Sequence, residues 1–159
     1  MIKNHVLSVL VTDNSGVLVR TAGLFSRRGY SIQSIVAADT EQAGMSRMTI
    51  VAQGDEDTLE QIEKQLTKLQ EVQEVTVLER GQSVRRQHVL VKAGSDETTR
   101  NGLIGVANLF KANVVDVADD NLMLELTGEP QTVDAFIRLI KPYGIISLVK
   151  TGITALERG

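Results

Sequence analysis

Asp13, Asn14, Ser15 and Gly16 stand between a β-branched run, Val6 to Val11, and an apolar-periodic run that begins at Val17 and Leu18. Such a junction offers recognition of a small zwitterion. A helix starting here directs its free N–H groups and the positive end of its dipole at whatever lies over the turn. Gly16 has no Cβ, so a ligand can approach the backbone closely, while the Asp13 carboxylate can hold an ammonium group. An anion acceptor beside an ammonium acceptor suits a free amino acid. The same four residues also make an ordinary strand-to-helix turn, and on these residues alone both readings stand.

Other chemistry is sparse. His5 and His88 fall at or beside strand starts in different halves of the chain, and the chain has no cysteine. That excludes disulfides, thiolate zinc sites and iron–sulfur ligation, and it leaves no histidine–nucleophile pair. Ser15 is followed by glycine but not preceded by one at the spacing a nucleophile elbow needs. Asp55, Glu56 and Asp57 read as a helix cap and an acidic first turn rather than an acid/base pair. Gly102-x-x-Gly105 lies within a helical pattern, where close packing explains it. No catalytic residue, metal ligand set or cofactor motif is expected in this chain.

Composition places limits on the rest. The 159 residues suffice for one domain or two small ones, 42% are hydrophobic and only 3% aromatic, so the core must be built of Val, Ile and Leu. A net charge of −3 opposes broad electrostatic capture of nucleic acid, and the expected strands lack the aromatic residues on which bases stack. No run of about 18 apolar residues is present and no charged-then-apolar leader precedes the first strand. We therefore expect a cytoplasmic protein without nucleic acid or membrane as partner.

The elements that must position the Asp13–Leu18 junction follow from periodicity. A strand over 3–11 leads to a helix over 16–28 that stops at Gly29, the residue type favoured at a helix C-terminus. Strands over 31–38 and 45–52 are joined by a polar turn and should pair as a hairpin. Asp55 caps a helix with Leu59, Ile62, Leu66 and Leu69 on one face, and Val72 to Leu78 closes the half as a strand. The order βαββαβ is ferredoxin-like, an antiparallel sheet with two helices on one face. After a polar linker over 79–87 the order recurs: a strand over 89–93, a helix capped by Ser95, strands over 114–117 and 122–126, a helix opened by Pro130, and a strand over 145–155. The fold class is α+β, two tandem ferredoxin-like βαββαβ domains over 1–79 and 80–159. Small sandwiches of this kind leave open sheet edges, which favours dimerisation.

Several runs resemble a known family. Gly23-Leu24-Phe25-Ser26-Arg27-Arg28-Gly29-Tyr30-Ser31-Ile32, Ser46-Arg47-Met48-Thr49-Ile50 and Gln61-Ile62-Glu63-Lys64-Gln65-Leu66 are similar to the small regulatory subunit of acetolactate synthase (acetohydroxyacid synthase). So are Val115-Asp116-Val117, Leu126-Thr127-Gly128, Asp134-Ala135-Phe136, Pro142-Tyr143-Gly144-Ile145 and the stretch from Thr151-Gly152 to Arg158-Gly159. The resemblance implies an N-terminal ACT domain for effector binding and dimerisation, and a C-terminal domain of related fold. It implies a homodimer through the ACT domains that binds a branched-chain amino acid, usually valine, and that activates a separate catalytic (large) subunit of valine, isoleucine and leucine biosynthesis and makes it inhibitable by end product. Thiamine diphosphate, Mg²⁺ and FAD would belong to that catalytic partner, with no cofactor in this chain.

On this resemblance the effector loop falls on Asp13, Asn14, Ser15, Gly16, Val17 and Leu18, and its opposite wall, across the dimer, on Tyr30, Ser31 and Ile32. Many relatives carry asparagine at the positions of Asp13 and Ser31. Two other classes compete with a regulatory subunit: a free-standing ACT-type amino-acid sensor acting on transcription or another enzyme, and a small enzyme on a ferredoxin-like scaffold. Co-purification with a large thiamine enzyme separates the first from a subunit, and turnover by this chain alone would mark the second.

Overall fold

The structure, a computed structural model, describes residues 1–159. The strands and helices are β1 (Lys3–Thr12), α1 (Val17–Arg28), β2 (Ser31–Asp39), β3 (Met45–Gly54), α2 (Glu56–Thr67), β4 (Val72–Val77), β5 (Ser83–Gly94), α3 (Arg100–Leu109), β6 (Asn113–Val117), β7 (Asn121–Gly128), α4 (Pro130–Ile140), β8 (Ile145–Lys150) and β9 (Thr154–Glu157). Two antiparallel sheets form, in the orders β2-β3-β1-β4 and β6-β7-β5-β8, with β9 beside β5. This is the ferredoxin-like βαββαβ arrangement twice over, as expected. The chain divides into two compact units, Met1–Val84 with Gly152–Gly159, and Arg85–Thr151.

In the first unit, alternate residues of β1 (Leu7, Val9, Val11) and β3 (Met48, Ile50, Ala52) face one side, where they meet Leu24 and Phe25 of α1 and Leu59, Ile62 and Leu66 of α2. The period of two on the strands and of 3.6 on the helices thus converge on one core. α1 stops because Gly29 takes the left-handed conformation (φ 69°) and its N–H, with that of Tyr30, returns to the Ser26 and Phe25 carbonyls. α2 starts because Asp55 accepts a hydrogen bond from the Thr58 N–H at 2.8 Å. The other side of the sheet is also covered: Val6, Val51 and Leu78 pack with Ile153 and Ala155.

The second unit repeats the plan with Val89, Val91 and Ala93 of β5 and Leu122, Leu124 and Leu126 of β7 against Leu103 and Ala107 of α3 and Val133, Phe136 and Ile140 of α4. Pro130 opens α4 as its first residue.

Three details differ from the sequence reading. Ser95 does not cap α3. Its hydroxyl accepts from Arg100 Nε at 2.9 Å, and the helix entry is instead gathered by Asp96, whose Oδ1 accepts from the Thr98 and Thr99 N–H groups at 2.8 and 2.9 Å. The stretch over 79–87 is not all linker: β5 begins at Ser83, a buried residue whose hydroxyl donates to the Glu79 carbonyl at 2.8 Å. The final strand is broken in two. Gly152 interrupts it because a Cβ there would stand 2.8 Å from Val36 Cγ2 and 3.0 Å from Ser34 Cβ, so only glycine lets the chain pass over β2.

Candidate functional site

The loop between β1 and α1 is tied down from both sides. Thr12 donates its N–H to the Glu71 carbonyl at 2.8 Å, and Asp13 donates its own to the Gly44 carbonyl, in the β2–β3 turn, at 2.9 Å. Two tight turns follow, Asn14 N–H to the Thr12 carbonyl at 2.8 Å and Val17 N–H to the Asn14 carbonyl at 3.2 Å. The chain then enters α1 through Gly16 at φ 85° and ψ 0°, a left-handed conformation that a side chain disfavours. The first helical bond is Arg20 N–H to the Gly16 carbonyl at 2.9 Å. The N–H groups of Ser15, Gly16, Leu18 and Val19 have no acceptor in the chain, which leaves the positive end of α1 open to an anion. Val17 differs from the other loop donors, because its N–H is already engaged within the loop.

An open pocket of about 350 Å³ lies against this loop. Asp13, Asn14, Gly16, Val17 and Leu18 line it from the loop side, and Val11 from the end of β1. Its far wall is the β2–β3 hairpin end, with Ala37, Ala38 and Asp39 from β2 and Ser46 and Met48 from β3. Antiparallel register brings these together: Val11 stands opposite Ser46, and Ser46 opposite Asp39. The wall is apolar through Val11, Leu18 and Met48, and carries two carboxylates, Asp13 and Asp39, but no cation. A free amino acid would find here room for an aliphatic side chain and acceptors for its ammonium.

Five of the six loop residues expected at the site thus line one pocket, whereas Ser15 does not. Tyr30, Ser31 and Ile32 lie at the other end of β2, where Ser31 stands opposite Gln53 of β3 and the Tyr30 hydroxyl is 3.4 Å from Gln61 Oε1. Within one chain they do not meet the loop. Residues 37–39, 46 and 48 were not anticipated, although the pairing of β1 with the β2–β3 hairpin carries the information needed to place them.

Beside the loop, Arg20 forms an ion pair with Glu71. The Arg20 Nη1 lies 3.1 Å from where a Cβ on Gly16 would stand. Leu18 and Val19, 44% and 74% exposed, form an apolar spot on the open face of α1.

Both histidines have structural partners. His5, buried at the start of β1, places Nε2 3.0 Å from the Gly54 carbonyl, and His88 Nε2 lies 3.3 Å from Glu125 Oε2. No group of three or more His, Asp or Glu side chains is gathered for metal binding. No helix is long and apolar enough to cross a membrane.

The fold and its pocket define a class: an ACT-like ferredoxin domain followed by a second domain of the same topology. Residues 7–74 match the family model for an acetohydroxyacid synthase small-subunit-like ACT domain, and residues 86–159 match that for the small subunit of acetolactate synthase. The acetolactate synthase small subunit of Mycolicibacterium smegmatis is 47% identical over 155 residues, covering 98% of this chain and 91% of that protein. A probable acetolactate synthase small subunit of Methanothermobacter thermautotrophicus is 44% identical, covering 98% and 93%. The crystal structure of the acetolactate synthase small subunit of Thermotoga maritima superposes with a TM-score of 0.91 at 36% identity, covering 99% of this chain and 98% of that one. The chain belongs to the acetolactate synthase small-subunit family.

Proposed function

We propose that this chain is the regulatory subunit of an acetolactate synthase, that it raises the activity of a catalytic large subunit, and that it makes that activity inhibitable by a branched-chain amino acid, valine foremost. The observation that carries the reading is the pocket between Asp13–Leu18 and the β2–β3 hairpin end, where left-handed Gly16 exposes open N–H groups beside an apolar wall. Condensation chemistry, with its thiamine diphosphate, Mg²⁺ and FAD, belongs on this reading to the catalytic partner.

The effector site is completed by a second copy. β2 is an edge strand of its sheet. If two edges pair antiparallel about a twofold axis, the Ser31 end of one strand comes beside the Asp39 end of the other. That juxtaposition brings the partner subunit's Tyr30, the partner subunit's Ser31 and the partner subunit's Ile32 toward the pocket, and it covers the exposed Leu18 and Val19 nearby.

Reconstitution with the catalytic subunit tests the proposal. The expected result is faster acetolactate formation on adding this chain, and slowing of the complex, but not of the catalytic subunit alone, by valine. Failure of the two chains to co-purify, or of this chain to alter the catalytic subunit's activity, would refute it.

A further inference from the structure

The pocket has a charge problem as the receptor of a free amino acid. Its wall holds two carboxylates, Asp13 and Asp39, and no cation. An ammonium group is well served, but the ligand's own carboxylate enters a site of like charge, with only the end of α1 to receive it. A helix N-terminus is worth about half a charge, against two full charges of the wrong sign. The side chain able to correct the balance is Arg20. It stands on the first turn of α1, with Nη1 3.1 Å from the Cβ position of the pocket residue Gly16. Its side chain is 46% exposed, whereas that of its partner Glu71 is only 14% exposed. A guanidinium has five N–H donors in a planar fork, and one carboxylate occupies at most two. Glu71 is moreover anchored, because its backbone carbonyl accepts the Thr12 N–H at the end of β1.

Resting on the regulatory-subunit reading above, we infer that Arg20 is the carboxylate-recognising residue of the effector pocket and that Glu71 tunes it by competing for the same guanidinium. Glycine at position 16 then has a second role besides its backbone angle: it is the gap through which the guanidinium reaches a ligand on the loop. Arg20 neutralises the ligand's carboxylate while Asp13 and Asp39 hold the ammonium. Glu71 keeps the cation in place when the pocket is empty and weakens its pull on a ligand. The pair thereby sets affinity in a range where the effector can leave.

Calorimetry with L-valine and with L-valinamide, which keeps the ammonium and side chain but lacks the carboxylate, tests this on the full chain. Wild-type protein is expected to prefer valine by tenfold or more. Arg20→Gln should abolish or invert that preference by weakening valine alone, and Arg20→Lys should restore part of it. Glu71→Gln should tighten valine several-fold. If Arg20→Gln weakens both ligands equally, or Glu71→Gln weakens valine as Arg20→Gln does, the pair merely braces the loop and the inference is overturned while the effector reading stands. If wild-type protein takes up none of valine, leucine or isoleucine, the effector reading falls and this inference with it.

Discussion

The hydroxyl of Tyr143 lies 2.6 Å from the point where a Cβ on Gly102 would stand, with two ring carbons at 3.5 Å. Gly102 is therefore the place on α3 that admits the tyrosine ring, and the Tyr143 carbonyl is held in turn near Gly94, 3.2 Å from that residue's Cβ position. Gly105, one turn along the same helix, has nothing within 4 Å of its Cβ position. Two glycines of one motif thus have opposite physical status.

A pair of alanine substitutions exposes the difference. Gly105→Ala should stabilise the chain by roughly 0.5 to 1 kcal/mol, the ordinary gain of alanine over glycine inside a helix. Gly102→Ala receives the same gain but forces the Tyr143 ring aside, an overpacking cost of about 1 to 3 kcal/mol, so it should destabilise. Removing the hydroxyl in Gly102→Ala/Tyr143→Phe should recover part of the loss. Urea titration of the four proteins measures this, and equal stabilisation by both alanines would show that the ring yields freely.

Acid should loosen the entry to α3. Thr98, through its hydroxyl and its N–H, and Thr99 hold the Asp96 carboxyl down to about 2 from an ordinary 3.8. A carboxylate whose folded value is depressed contributes stability above its unfolded value and loses it as pH falls through the folded one. The contribution is thus whole above about pH 4 and gone below about pH 2. Protection of the Thr98 and Thr99 amides, taken relative to their intrinsic exchange rates, should fall across that window in the wild type. Asp96→Asn keeps an acceptor oxygen but cannot titrate, so its protection should show no such step.

What could be read from the residues was whatever rests on local period. Alternate apolar residues at 7, 9 and 11 and a helical stripe at Leu59, Ile62 and Leu66 fix both element and face, and the repeat of that order fixes the topology. The Asp13–Gly16 turn was legible because glycine and capping residues state their backbone needs. The far wall was not, because Ala37, Ala38, Ser46 and Met48 have no distinguishing chemistry and Asp39 reads as the polar end of a strand entering a turn. They matter through register, which is a property of three strands at once. The role of Asp96 at the entry to α3 was hidden by an adjacent serine of equal propensity, and the break at Gly152 by a clash with residues more than a hundred positions away.

The proposed dimerisation through the first unit makes a specific demand on α1. Val19 is 74% exposed in a single chain, so Val19→Asp should leave the fold within about 0.5 kcal/mol of wild type, as surface changes do. At an interface the same change buries an unpaired carboxylate, which costs several kcal/mol. Sedimentation at micromolar concentration should then show a wild-type dimer and a variant shifted toward monomer, with unchanged circular dichroism. A variant that stays fully dimeric would place the interface away from α1.

Gly16→Asp tests the loop where the site and the fold meet. The substitution places a carboxylate beside the open N–H groups at the start of α1, where a like charge opposes an incoming effector carboxylate, and it offers Arg20 a new partner next to Glu71. Both effects act against binding, so inhibition by valine should weaken by tenfold or more, each tenfold corresponding to roughly 1.4 kcal/mol. The backbone adds its own cost. At φ 85° a side chain is disfavoured by about 1 to 2 kcal/mol, although aspartate visits this region more readily than most residues. The atom nearest its Cβ is the end of the flexible Arg20 side chain at 3.1 Å, which can move. The variant should therefore fold with a lowered melting temperature, and stimulation of the catalytic subunit should persist, because coupling between effector and partner requires two distinct sites and only one is altered. Gly16→Ala separates charge from the rest: it carries the backbone cost and narrows the gap beside Arg20 but adds no carboxylate, and should lower the melting temperature while retaining more of the valine response. Melting temperature, stimulation and inhibition read on one preparation decide between them, and parallel loss of all three in both variants would mean that the loop serves folding alone.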